Sequence, residues 1–227
     1  MKPLIVIPAR GGSKGIPGKN TKLLNGKPLI NYTIDVARSI FDDERIIVST
    51  DAESIKLVVE STGLFVPFLR PKELSTDTAT SYDVLLHAMN FAKDSGVEFD
   101  TVILLQPTSP FRTSIHIKEA LQLYSSDIDM VVSVKESDEN PYYSLFEEDQ
   151  NGFLEKSKEG QFTRRQDCPK VYSYNGAIYI INPESLHSTT LSEFKKIRKY
   201  SMPSINSIDL DTPLDWELAA LVSKKMD

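Results

Sequence analysis

Lys2-Pro3-Leu4-Ile5-Val6-Ile7-Pro8, followed at once by Ala9-Arg10-Gly11-Gly12-Ser13-Lys14-Gly15-Ile16-Pro17-Gly18-Lys19-Asn20, decides the architecture. A continuous apolar run closed by prolines and glycines reads as a short strand buried on both faces, which is how strands of parallel sheets look. From Pro8 to Asn20, thirteen residues hold four glycines, two lysines and an arginine. Glycines let backbone N–H groups come close to an oxyanion, and the cations neutralise it. A loop of this kind at the carboxyl end of a strand is where an open α/β sheet binds its ligand, and phosphate is the occupant expected here.

Outward from this loop the chain alternates strands and helices. Leu29 to Ile40 carries apolar residues at helical spacing, and Arg45 to Ser49 is a second strand. Ser54 to Glu60 reads as a helix, Phe65 to Phe68 as a short strand, Tyr82 to Ala92 as a helix and Thr101 to Leu105 as a buried strand. Ile115 to Tyr124 follows as a helix and Met130 to Val134 as a strand. This rhythm predicts an α/β fold with a mostly parallel sheet flanked by helices. The stretch 135–175 breaks the pattern with polar, aromatic and turn-rich sequence and reads as an inserted β-rich arm, its hairpin turning near Glu147 to Gly152. Ala177 to Ile181 returns to the main sheet, and Pro183 opens a short helix. A last helix starts at Pro213, capped by Asp211 or Thr212, with Leu214, Leu218, Leu221 and Val222 as its expected buried stripe.

The 227 residues suit one domain, 1–227, with the arm as an appendage. At 40% hydrophobic and 26% charged, the composition is that of a globular protein, and no apolar run reaches the roughly 18 residues of a spanning helix. Without a signal-like leader the expected compartment is the cytoplasm. Cys168 is alone, and His87, His116 and His187 are scattered, so neither an intrachain disulfide nor a zinc cluster is expected. The net charge of −6 argues against a general nucleic-acid binder. It is unevenly spread: residues 1–40 carry +6 and the remainder −12, which gathers positive charge around the first loop. The loop has no Walker spelling, since Ser13 stands where the first glycine belongs and Asn20 follows Lys19; a G-x-G-x-x-G fingerprint is missing too.

The opening motif Ile7-Pro8-Ala9-Arg10-Gly11-Gly12-Ser13-Lys14 with Pro17-Gly18-Lys19-Asn20 closely resembles that of the acylneuraminate cytidylyltransferases, the CMP-sialic acid synthetase family. Further blocks follow in family order: Ser49-Thr50-Asp51; Leu69-Arg70-Pro71 with Glu73-Leu74 and Asp77-Thr78-Ala79; Leu104 to Arg112; Asn175 to Tyr179; and Ile208 to Thr212. The resemblance implies a Rossmann-like sheet of the nucleotide-diphospho-sugar transferase type and transfer of CMP from CTP to a nine-carbon α-keto acid sugar. It places Arg10, Ser13, Lys14 and Lys19 around the triphosphate, with Arg10 and Lys14 as the principal cations. Asn20, Arg70 and Ser81 fall around the cytosine; Ser81 is equally readable as the cap of the following helix. Asp209 and Asp211 alternate across Leu210, so in an extended segment both carboxylates share a face and suit Mg²⁺. Of this pair, Asp211 is taken with Arg10 and Lys14 as catalytic. Gln106, Arg165, Asn175 and Tyr179 match sugar-site positions. Arg165 lies in the arm, which in the family swaps across a homodimer, and Tyr142, Tyr143, Phe146 and Tyr172 are candidate interface aromatics. Asn140-Pro141-Tyr142-Tyr143-Ser144 lacks a lysine that some sialic acid enzymes carry after the arm's proline, so the acceptor's identity stays open among N-acetylneuraminate, its deaminated form, legionaminate and pseudaminate. An enzyme for the eight-carbon keto sugar of lipopolysaccharide core and a catalytically silent nucleotide-binding scaffold are the other readings.

Overall fold

The computed structural model describes residues 1–76 and 79–226; Asp77 and Thr78 of the quoted blocks lie outside them. In chain order the elements are β1 (Pro3–Ala9), β2 (Leu23–Leu24), β3 (Lys27–Pro28), α1 (Leu29–Arg38), β4 (Ile46–Thr50), α2 (Glu53–Glu60), α3 (Ser81–Asp94) and β5 (Thr101–Leu104). They continue with α4 (Ser114–Gln122), β6 (Met130–Glu136), β7 (Phe146–Glu148), β8 (Leu154–Lys156), β9 (Tyr172–Ile181), α5 (Pro183–Ser188), β10 (Ile197–Ser201) and α6 (Pro213–Met226). Six strands form the main sheet in the order β10-β6-β9-β5-β1-β4. All its pairings are parallel except those of β9, which runs antiparallel between β5 and β6. The mostly parallel α/β sheet expected from the sequence is the one observed.

Strand β1 shows why the sheet is covered on both sides. Ile5 and Ile7 enter one core with residues of α1, α2 and α4, whereas Leu4 and Val6 enter a second with Leu85, Ala88, Met89 and Ala92 of α3. Successive side chains of a strand point to opposite faces, so one continuous apolar run supplies both cores. A third cluster joins Ile16 of the first loop, Leu24, Leu29, Phe111, Leu210, Trp216 and Ala219. It ties the glycine-rich loop, the segment before α6 and α6 itself into one packed unit.

Several expectations need correction. Residues 65–68 form no strand, and only an isolated bridge between Thr50 and Leu69 joins that stretch to β4. Pro67 has no N–H for a ladder, and Phe65 is 71% exposed. Strand β10 was not foreseen; it adds to the sheet edge beside β6. Of the expected stripe of α6 only Val222 packs inward, against the third cluster: Leu214, Leu218 and Leu221 are exposed, while Trp216, Ala219 and Ser223 are buried. β6 reaches Glu136 and β9 begins at Tyr172, so the excursion from the sheet is shorter than 135–175; β7 and β8 within it pair only with each other.

Midway along β9 the register breaks: Val132 pairs with Tyr179 but Val134 pairs with Tyr174. The bulge is held by Asn175, whose Oδ1 accepts from Ser133 Oγ at 2.6 Å and whose Nδ2 donates to Ser207 Oγ at 2.8 Å. Gly176, at φ +72°, takes the left-handed turn this requires.

Candidate active site

The carboxyl ends of β1, β4 and β5 lie side by side, because Ala9 is in register with Thr50 and Val6 with Leu104. The loops that follow β1 and β5, with the segment leading into α3 and its first turn, line a cleft of about 540 Å³. Arg10, Ser13, Lys14, Lys19, Asn20, Arg70, Ser81, Gln106 and Asp211 all line it. All seven residues read from the sequence as nucleotide contacts therefore converge on one cavity, from segments far apart in the chain.

Local bonds shape the loop. Gly11 N–H donates to Asp51 Oδ1 at 2.9 Å, and Asn20 Nδ2 donates to the Arg10 carbonyl at 3.0 Å, closing the loop upon itself. Asn20 is buried, so one of its amide hydrogens serves the loop while the side chain still borders the cleft. A Cβ on Gly15 would lie 2.0 Å from the Asp211 carbonyl oxygen, which makes glycine obligatory where the loop crosses the segment before α6. Lys19 fastens the same crossing, donating to the Leu210 carbonyl at 2.6 Å and to Asp211 Oδ1 at 3.0 Å. The sequence pointed Lys19 at phosphate; in this structure it clasps the acidic segment against the loop.

Arg70 is buried, with Nε donating to Ser75 Oγ at 3.2 Å and its guanidinium 3.8 Å from Asp51 Oδ1. Burial lowers its pKa, the Asp51 charge works in the opposite direction and Arg10 adds to the lowering. Asp51 thus serves both sides of the cleft, as acceptor for the loop and counter-charge for Arg70. Sequence reading placed it in a block without giving it a role; its position at the end of β4 was the available signal. Ser81 is the first residue of α3 and not its cap. Thr80 takes that part in a capping box with Asp83, leaving Ser81 exposed at the rim.

Asp209 points inward from the segment ahead of α6. Its Oδ1 is buried without a hydrogen-bond partner, and Oδ2 would lie 3.3 Å from a Cβ on Gly176. Burial raises its pKa; the Thr108 hydroxyl and Lys19 offset part of this, and Asp211 adds to the rise. The two carboxylates therefore sense each other, with Leu210 between them fully buried on the opposite side. A half-buried carboxylate with an orphaned oxygen beside a second carboxylate is a hard-oxygen donor pair that fits Mg²⁺. Beneath it lies Arg112, 2% exposed, which donates to Thr33 Oγ1 at 2.8 Å and to the Gln106 carbonyl. Burial lowers its pKa to about 9, opposed by Asp209. Arg112 carried no role at the sequence level.

The sugar-site residues separate into three groups. Gln106 borders the cleft and also a smaller adjoining pocket of about 230 Å³, which Tyr179 lines with Tyr174, Leu104 and Met130. Burial, then Asp209 and Tyr174, push the Tyr179 phenol up to about 12, so it stays a neutral donor. Asn175 does not reach either space: its amide is consumed inside the β9 bulge, and it acts by holding Gly176 against Asp209 and Gln106. Arg165 is remote, exposed in the arm and paired with Asp138 at 2.5 Å in a separate hollow with Asn140 and Lys170. Of the candidate interface aromatics, Tyr142 packs edge-on against Phe162 within the arm, whereas Tyr143, Phe146 and Tyr172 are exposed.

A cytidylyltransferase family model matches residues 4–223. The chain belongs to that family. Among its relatives, the N-acylneuraminate cytidylyltransferase of Streptococcus agalactiae serotype V is 42% identical over 219 residues; the match covers 95% of the chain but only 52% of that relative. The CMP-N,N'-diacetyllegionaminic acid synthase of Legionella pneumophila is 36% identical over 228 residues, covering 100% of the chain and 97% of the relative. A solved CMP:2-keto-3-deoxy-manno-octonic acid synthetase complexed with CTP superposes with a TM-score of 0.70 at 20% identity, over 99% of this chain and 100% of that one, a likeness of fold. Among the described residues no helix is long and apolar enough to cross a membrane.

Proposed function

We propose that the protein is a CTP-dependent cytidylyltransferase that transfers CMP to the anomeric hydroxyl of a nine-carbon α-keto acid sugar. The observation that carries this reading is the convergence of Arg10, Lys14, Asn20, Arg70 and Ser81 on one cleft that also holds Gln106 and Asp211. The acceptor oxygen bonds to the α-phosphorus and gives up its hydroxyl proton to solvent, the bond from that phosphorus to the bridging oxygen breaks, and pyrophosphate leaves. Such transfers depend mainly on positioning and charge neutralisation. Arg10 and Lys14 hold the triphosphate and stabilise charge on the departing pyrophosphate, aided by the backbone N–H groups of the glycine-rich loop. Asn20, Arg70 and Ser81, which line the same cleft, read the cytosine. Asp209 and Asp211 would hold Mg²⁺, which when bound supplies Lewis-acid neutralisation of phosphate oxygens. The sugar enters over Gln106 and Tyr179, with its carboxylate met by Arg165 from a second copy. The exposed Tyr143, Leu145, Phe146, Phe153 and Leu154 support a homodimer built through the arm.

N-acetylneuraminate is the leading acceptor. Legionaminate is the second reading, favoured by the relative that matches over nearly its whole length and by the missing lysine after Pro141. Pyrophosphate release from CTP and Mg²⁺ is to be measured with N-acetylneuraminate, its deaminated form, legionaminate, pseudaminate and the eight-carbon core sugar. Release with one nine-carbon acid is expected; silence with all five while CTP still binds would overturn the proposal and leave a nucleotide-binding scaffold. Arg10→Ala should impair use of CTP, and Asp211→Ala should abolish turnover while reducing nucleotide binding far less. Near-normal rates in either variant would reject that residue's role.

A further inference from the structure

Helix α6 turns its most hydrophobic side to solvent. Leu214, Leu218 and Leu221 are 73%, 48% and 62% exposed. At about 100° per residue they fall within one narrow stripe, opposite the side that buries Trp216, Ala219 and Ser223. Three leucines aligned on one exposed helix face are an unpartnered seam, unlike apolar residues scattered singly over a surface.

The charges beside the seam indicate its occupant. Glu217 and Lys224 stand seven positions apart on the helix, hence on the same flank of the leucine stripe. Among the described residues neither takes part in an ion pair within the chain. In an antiparallel helix pair each flank meets the same flank of its partner, so a two-fold copy of α6 brings Glu217 opposite Lys224 twice over. The same operation centres Leu218 and Leu221 on one another. The centre of the seam is therefore complementary to itself in both hydrophobicity and charge, and at each end Leu214 meets the aliphatic stem of Lys225, which by the same count stands in the leucine stripe.

We infer that α6 is a homotypic interface, through which two copies of this chain associate by antiparallel pairing of the Leu214, Leu218 and Leu221 faces. Fourteen residues of helix span only about 21 Å, so the contact is smaller than the roughly 1,600 Å² of a standard interface and is concentration-dependent. The inference does not depend on the arm. If the arm also forms a dimer, α6 joins two such dimers; if it does not, α6 alone makes a dimer.

Sedimentation velocity over a wide concentration range tests this, with thermal unfolding as a check that each variant is folded. The wild-type mass should rise with concentration, and Leu218→Glu should halve the mass reached at high concentration. Glu217→Lys and Lys224→Glu should each weaken association about tenfold by setting like charges opposite one another, and the double exchange should restore it. Restoration by the exchange is specific to self-pairing, because a different partner would not change its charge in step. If Leu218→Glu sediments as the wild type does at every concentration, or the double exchange associates no better than the single variants, the inference is overturned. An arm variant such as Tyr143→Glu run alongside separates the two contacts, since it disturbs only association through the arm.

Discussion

Arg112 is a large buried side chain carrying a charge, and its position explains why the chain tolerates that cost. One arm of the guanidinium holds Thr33 on α1 and another holds the Gln106 carbonyl, while the Asp209 charge works against deprotonation. Removing the cation would leave the Gln106 carbonyl beneath the substrate cleft with only the longer bond from the Ser109 N–H, at 3.4 Å, and strip Asp209 of a neighbouring positive charge. Hydrogen bonds from a buried charged group are worth about 1.5–3 kcal/mol, so Arg112→Met should lower the urea midpoint of unfolding by that equivalent. Arg112→Lys should recover only part of it, since an ammonium cannot span both acceptors. An unfolding midpoint within error of wild type in the methionine variant would show that the guanidinium contributes no stability. Neither Arg112 nor Asp51 announces its role in sequence, because each acts on a residue far along the chain: Arg112 on Thr33, and Asp51 on Gly11.

At the scale of elements, two local devices set the walls of the cleft. The Thr80–Asp83 capping box starts α3 beside the nucleotide site, and the Thr80 hydroxyl and backbone lower the Asp83 pKa. A carboxylate depressed in the folded state adds stability that is present above its unfolded value near 3.8 and is lost as pH falls through the lower folded value. Asp83→Asn should therefore flatten the acid limb of a stability-against-pH curve, and an unchanged limb would reject the assignment. The second device is the β9 bulge. Gly176→Ala would force a Cβ into left-handed backbone and to within 3.1 Å of Ser109 Oγ and 3.3 Å of Asp209 Oδ2. It should cost about 1 kcal/mol or more and depress turnover, read by thermal unfolding and by pyrophosphate release. These elements also mark where sequence reading works. β1 and its loop were legible because burial on both faces leaves an unbroken apolar run and phosphate chemistry needs glycine and cations together. β10 was not: Ile197-Arg198-Lys199-Tyr200-Ser201 carries too few apolar residues to betray an edge strand. The α6 stripe misled because leucine content was read as burial. The structure instead buries Trp216 and small Ala219 against Leu24 and Leu29, a close approach that leucines would obstruct.

For the whole molecule, the separation of Arg165 from the cleft makes the proposed assembly testable. Within one chain Arg165 and the cleft residues line different cavities, and the role proposed for it on the acceptor's carboxylate is one for the arm of a second copy. Reciprocal exchange has a consequence that a single chain cannot imitate. An Arg165→Ala chain keeps an intact cleft but offers a defective arm, and an Asp211→Ala chain offers an intact arm over a defective cleft. In a mixed dimer the first chain's cleft receives the second chain's arm, giving one complete site, while the other site carries both defects. After equal mixing with full exchange, half of the dimers are mixed, so about a quarter of all sites should be complete. At acceptor concentrations well below the raised Michaelis constant of Arg165→Ala, activity should rise from that variant's residue to about a quarter of wild type as subunits exchange. A mixture that never exceeds the mean of its two components, once exchange is verified by mass, would place the Arg165 contribution within its own chain.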